Sequence, residues 1–145
     1  MWLTEGVAAG VIAGVFMAII SVIGYLLGLL KSNLIIIDGS FAASQLKREA
    51  NRTITYALGI FIHLCTSAIF GLVYSIFPRF LDFDTRLIYA LAPYVFFLWL
   101  AMLFTALPVA GQGILGRKLG KLVWAEQFVL HMVFGISFWW SLGLV

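Results

Sequence analysis

The chain has 145 residues, of which 63% are apolar and 10% charged, with a formal net charge of +3. Ordinary soluble domains run at roughly 45–50% apolar and about 25% charged. A mean hydropathy of +1.10 leaves too little polar surface to cover a water-soluble fold, and a chain of this length is one domain's worth.

Uncharged stretches run from Gly6 to Leu30, from Thr53 to Pro78 and from Leu87 to Gly116, and a fourth, Leu122 to Val145, contains one acid, Glu126. Each exceeds the ~20 residues that span ~30 Å of hydrocarbon. A backbone in lipid must satisfy its own polar groups, so each is read as a helix; the alternating segments of about 10 residues that a membrane barrel needs are absent. The fold class expected is all-α, an integral membrane four-helix up-and-down bundle. It forms a single transmembrane domain over 1–145, with helices at about 5–30, 53–77, 87–108 and 122–144. Met1 to Glu5 carry no basic side chain, and the first apolar run exceeds the ~7–15 residues of a signal peptide's central region, so it is read as a retained helix.

Along the first helix Gly6, Gly10 and Gly14 fall four apart, a small-xxx-small stripe that lets two backbones approach closely. Helix 1 is therefore expected to have a close neighbour, either within the chain or on another protein. In the first connection Asp38-Gly39-Ser40 offers a helix cap, and the following FAASQLKREA sets Phe41 and Leu46 opposite Lys47, Arg48 and Glu49. That is the pattern of a short helix over about 40–50 lying on the membrane surface; a solvated loop is an equal reading. Asn51-Arg52-Thr53 is a glycosylation sequon. Cys65, the single cysteine, is read as a small buried apolar residue of helix 2.

The second connection, Pro78 to Arg86, reads as a tight external turn in which Asp82 and Asp84 are neutralised by Arg79 and Arg86. In the third helix a kink is expected near Ala90 to Pro93, and Pro108 marks the end. Gly111-Gln112-Gly113-Ile114-Leu115-Gly116 matches the dinucleotide fingerprint letter for letter, but that fingerprint works between a strand and a helix, and here it follows a membrane helix. It is read as a flexible turn. Trp2, Trp124, Trp139 and Trp140 lie near segment ends, where such rings anchor in the interface, whereas Trp99 lies deeper.

Lys and Arg set the orientation. The first connection (Lys31, Lys47, Arg48, Arg52) and the third (Arg117, Lys118, Lys121) hold seven, against Arg79 and Arg86 in the second and none in the tails. The first and third connections are then cytoplasmic and both termini extracytoplasmic, as expected for a bacterial inner-membrane protein. The partners expected are the lipid bilayer and either other integral membrane subunits or further copies of the chain. No basic patch with interleaved aromatics suggests nucleic acid.

The residues that point to chemistry are the two histidines, the side chains that titrate near neutrality. His63 lies ten residues into helix 2 and His131 nine into helix 4, at similar depth near the midplane, on helices that run the same way. Gly59, His63, Ser67 and Gly71 share one face, and Gln127, His131 and Gly135 share another, each histidine being followed four residues later by a small side chain. This arrangement resembles the b-type cytochrome bundle, in which histidines on the second and fourth helices hold haem iron from both sides. The resemblance implies one b-type haem ligated by His63 and His131, with Ser67 and Gly135 leaving room for the macrocycle; the family's usual second haem has no ligand pair here. The competing reading is that each imidazole hydrogen-bonds across helices, to Ser67, Thr66, Gln127 or a backbone carbonyl. Glu126, in the first turn of helix 4, complements the helix N-terminus and is within reach of Arg117 or Lys118.

Over most of its length the chain also resembles uncharacterised small four-helix bacterial membrane proteins. The shared features are a Gly/Ala-rich first helix, a run like His131-Met132-Val133-Phe134-Gly135, and a Pro-Val-Ala-Gly end to helix 3. There is no nucleophile with a base and no paired carboxylates, so catalysis by this chain alone is not expected. Two functions follow from the sequence: a small subunit of a larger electron-transport complex, contributing packing surface and one haem, or a free-standing small transporter or channel without a cofactor.

Overall fold

The computed structural model describes residues 3–47 and 51–145, so Trp2, Arg48 and Glu49 lie outside the described residues. Within them the fold is helical: α1 (Leu3–Leu26), α2 (Leu34–Gln45), α3 (Arg52–Leu81), α4 (Ile88–Ala101), a single π turn (Met102–Ala106), the short α5 (Leu107–Val109), a 3₁₀ turn (Ile114–Gly116) and α6 (Val123–Ser141). Three segments, Leu3–Leu26, Arg52–Leu81 and Ile88–Val109, are long and apolar enough to cross a membrane. The 19-residue α6 is interrupted by Glu126, Gln127 and His131.

The glycine stripe of α1 is used inside the chain. A Cβ on Gly6 would strike Ser75 and Gly71 of α3, one on Gly10 would strike the Ser67 carbonyl, and one on Gly14 would strike Ser67. The order of these contacts makes α1 and α3 antiparallel, with backbones close enough that only hydrogen fits between them. Ala9, Ala13 and Met17 on the same side of α1 are buried, whereas Phe16, Ile20 and Ile23 face outward.

The first connection departs most from expectation. The helix it holds starts at Leu34, six residues earlier than the surface helix read from sequence, and Asp38-Gly39-Ser40 lies inside it rather than capping it. Its cap is Asn33, whose side chain accepts from the amides of Ile35 and Ile36 at 3.0 and 3.3 Å. Beyond α1 the chain turns back on itself: the amides of Leu29 and Leu30 bond the Gly24 carbonyl, and the Leu34 amide reaches the Ser21 hydroxyl at 2.9 Å. The chain has thus climbed back about five residues of α1, roughly 7 Å at 1.5 Å per residue, before α2 begins. Leu34, Ile35 and Ile37 are buried, so α2 packs within the fold and not on a surface. Its docking against α3 is again glycine-mediated, since a Cβ on Gly59 would strike the Ile35 carbonyl and one on Gly39 the Thr55 carbonyl.

Pro78 lies inside α3, which continues to Leu81, so the second connection is shorter than the sequence indicates. Asn51 of the sequon caps the other end of α3, accepting from the Ile54 amide at 2.9 Å. A departure from α-helical bonding lies ahead of Pro108. Pro93 sits within α4, and the helix widens into the π turn, in which the Leu107 amide bonds the Met102 carbonyl. Pro108 supplies the reason, because its ring crowds the carbonyl four residues back and it has no N–H to give it. The glycine-rich run that follows is a turn with Gly111, Gly113 and Gly116 at φ of 80°, 75° and 69°. α4 packs on α6 where Val95 lies over Gly135, and it meets α3 at Tyr94, whose hydroxyl donates to the Phe70 carbonyl at 2.6 Å.

Candidate functional site

The face of α3 carrying Gly59, His63, Ser67 and Gly71 is buried along its length. Gly59 lies against α2 while Ser67 and Gly71 lie against α1, which leaves the His63 imidazole where the two neighbours meet. Its Nδ1 contacts Asp38 Oδ2 at 2.9 Å and its Nε2 contacts the Gly14 carbonyl oxygen at 2.9 Å. The side chains are only 7% and 14% exposed, and α2 brings Asp38 there because its N-terminus starts deep in the fold.

The two contacts fix the proton inventory. A carbonyl oxygen only accepts, so Nε2 carries a proton. The Nδ1 to Oδ2 contact then needs one further proton, on the nitrogen as imidazolium and carboxylate or on the oxygen as neutral imidazole and carboxylic acid. In both forms the pair is neutral overall and holds one exchangeable proton. Without it, a nitrogen lone pair would face a carboxylate oxygen across 2.9 Å.

The second histidine is held differently. His131 Nδ1 lies 2.8 Å from the Gln127 carbonyl one turn back on α6, so Nδ1 is the donor and Nε2 is left as an acceptor. Both imidazoles line one cavity of about 220 Å³, together with Asp38, Thr66, Ser67 and Thr105 and the rings of Phe41, Phe70 and Phe134. Met102, Thr105 and Ala106 of the π turn form part of its wall, in keeping with the tendency of π turns to occur where a helix must reshape around a site. A larger cavity of about 610 Å³ between α4 and α6 is also lined by His131, with Gly135 and apolar side chains such as Phe96, Trp99, Phe128 and Ile136.

Bis-histidine haem ligation does not fit this arrangement. Each ring must offer the iron a nitrogen lone pair, and both nitrogens of His63 are engaged by protein, leaving only Nε2 of His131. Ser67 packs under Gly14 while also lining the 220 Å³ cavity, and Gly135, where a Cβ would sit 3.1 Å from Val95, lines the 610 Å³ cavity beside His131. The sequence pairing of His63 with His131 thus leads to a shared cavity, with Ser67 on its wall and Gly135 on the wall of the larger one.

Comparison with protein-family models, curated proteins and solved structures returns no match to this chain.

Three residues around the site have partners other than those the sequence suggests. Asp38 was read as a cap, although an acid directly after Leu34-Ile35-Ile36-Ile37 in a connection too long for a simple turn was a signal of a returning segment. Glu126 does not turn to Arg117 or Lys118. Its carboxylate accepts from the Lys31 amide at 3.1 and 3.0 Å, the Ser32 amide at 3.1 Å and the Ser32 hydroxyl at 2.9 Å, so α6 clamps the segment that leads into α2. Gln127, fully buried, donates to the Ser32 hydroxyl at 3.0 Å, and its Oε1 has no partner among the described residues.

Proposed function

We propose that this chain spans a membrane through α1, α3, α4 with α5, and α6, and that it is a small free-standing transporter which carries protons by way of Asp38 and His63. The observation that carries the reading is the buried pair, two ionisable side chains joined at 2.9 Å and sharing one proton. In lipid, ionisable groups are costly and mark ion paths and proton relays. The surroundings support it: three helices are long and apolar enough to span, and large apolar side chains such as Phe61, Ile69, Phe97 and Ile136 face outward, as lipid contact requires. A helix that begins inside the fold, reached by a returning segment, and a π turn at the cavity wall are the irregular backbone expected at a transport site.

The pair works as a carrier because loading and unloading change its charge. One proton added to carboxylate and neutral imidazole gives the neutral loaded pair; its loss leaves one net negative charge and two opposed lone pairs, which drives either reloading or separation of α2 from α3. His131 Nε2, an acceptor on the same cavity, is the next station, and no Lys, Arg or Glu lines the cavity to compete for the proton. With the first and third connections cytoplasmic, α2 descends from the pair toward the cytoplasm and both termini are extracytoplasmic. The haem-bearing subunit reading drew on the histidine pair and the glycine stripe, and both serve internal contacts here.

The test is proton flux into vesicles of phosphatidylethanolamine and phosphatidylglycerol, driven by a potassium diffusion potential and read by an internal pH dye. Wild-type protein should acidify the lumen well above empty vesicles, with Asp38→Asn and His63→Gln at the passive leak. Wild-type flux equal to that of empty vesicles, or undiminished flux in Asp38→Asn, would overturn the reading.

A further inference from the structure

The hydrogen-bond state of the cavity wall specifies what it binds. The wall's nitrogen-borne protons and the Thr66 hydroxyl proton are already committed: His63 donates to the Gly14 carbonyl and shares a proton with Asp38, His131 donates to the Gln127 carbonyl, and Thr66 donates to the carbonyls of Ile62 and His63 at 2.9 and 3.0 Å. What these lining groups have left are acceptors: the second carboxylate oxygen of Asp38, Nε2 of His131 and the lone pairs of the Thr66 hydroxyl. The hydroxyls of Ser67 and Thr105 turn either way. The rings of Phe41, Phe70 and Phe134 line the same space, and aromatic faces attract cations. A volume of about 220 Å³ exceeds the roughly 150 Å³ that holds one benzene ring in an apolar cavity.

We infer that this cavity binds a small organic ammonium ion, up to about the size of one substituted aromatic ring, which takes the place of the proton held by Asp38 and His63. The inference deepens the proton-carrying reading of the same pair and rests on it. The exchange balances: the ammonium enters with its charge, the shared proton leaves to solvent, and the site's net charge is unchanged. One N–H of the ammonium then donates to Asp38 and a second to the vacated Nδ1 lone pair of His63, so the opposed lone pairs are bridged. His131 Nε2 and Thr66 accept the third. A neutral alcohol of the same shape has one donor where the ammonium has three, and an anion meets only the Ser67 and Thr105 hydroxyls as donors.

The experiment uses the purified full chain in mild detergent at weak buffering, with benzylammonium, benzyl alcohol and benzoate as probes of one shape and three charges. Benzylammonium should bind saturably and release close to one proton per bound cation, with benzyl alcohol and benzoate releasing none. Asp38→Asn should lose both binding and release; because that variant has its own folding risk, the wild-type ranking of the three probes stands as the independent criterion. Equal binding of benzyl alcohol and benzylammonium, or cation binding without proton release, overturns the inference. Flux in vesicles with no benzylammonium binding would refute the ligand assignment alone, whereas cation binding with proton release but no flux would refute the carrier reading and leave the site.

Discussion

Asp38 on α2 and His63 on α3 stand 25 residues apart in sequence and 2.9 Å apart in space, and that contact ties a helix that begins inside the fold to the 30-residue α3. Cutting it should be costly. Removing one partner of a buried pair leaves the other uncompensated, at about 3–5 kcal/mol. Asp38→Ala should therefore lower the unfolding midpoint in detergent far more than Asp38→Asn, which keeps an amide within reach of the imidazole. Equal midpoints for the two variants would mean that the contact does not hold α2 in place.

The α1 to α3 seam predicts a sharp contrast between glycines. A Cβ on Gly10 would strike the Ser67 carbonyl, a backbone atom that cannot move aside, whereas one on Gly135 would meet the Val95 side chain at 3.1 to 3.6 Å. Gly10→Ala should cost about 1–3 kcal/mol or more by overpacking, and Gly10→Leu should prevent folding. Gly135→Ala should be tolerated within about 1 kcal/mol. Thermal unfolding of the three variants in one detergent checks the order.

Glu126 should govern the returning segment without touching the cavity. Its carboxylate receives the Lys31 and Ser32 amides and the Ser32 hydroxyl, and hydrogen bonds to a charged group contribute about 1.5–3 kcal/mol each when both partners are sheltered. Glu126→Ala should speed amide hydrogen exchange at 31–34 strongly and Glu126→Gln moderately, with exchange in the middle of α3 unchanged. Uniform acceleration across all helices would assign Glu126 to global stability instead.

Much of the architecture was legible because it is local. Apolar runs gave the segments that became α1, α3, α4 and α6, and the four-residue spacing of Gly6, Gly10 and Gly14 announced a close helix contact before its partner was known. That His63 and His131 belong together was legible too, since both line one cavity. The pair that matters was not, since Asp38 sits in a stretch whose pattern of Phe41, Leu46 and Lys47 imitates a surface helix, and what draws α2 inward lies elsewhere in the chain. Glu126 meets Lys31 across 95 residues, and Gly59 accommodates Ile35 by lacking a side chain. Such pairings leave no period in the sequence. The engagement of the His63 ring was hidden for the same reason: its nitrogens are met by Gly14 and Asp38, neither of which lies on the histidine's own helix.

The claim on which the account stands is that one exchangeable proton resides between Asp38 and His63. Nitrogen NMR of protein labelled at the histidine rings, followed through a pH titration, tests it directly. The account predicts that His63 Nε2 stays protonated throughout while the Nδ1 signal moves as the shared proton leaves, and that this movement is altered in Asp38→Asn while the His131 signals keep their Nδ1-protonated form. A His63 whose Nε2 loses its proton first, or whose titration is the same in Asp38→Asn as in the wild type, would contradict it.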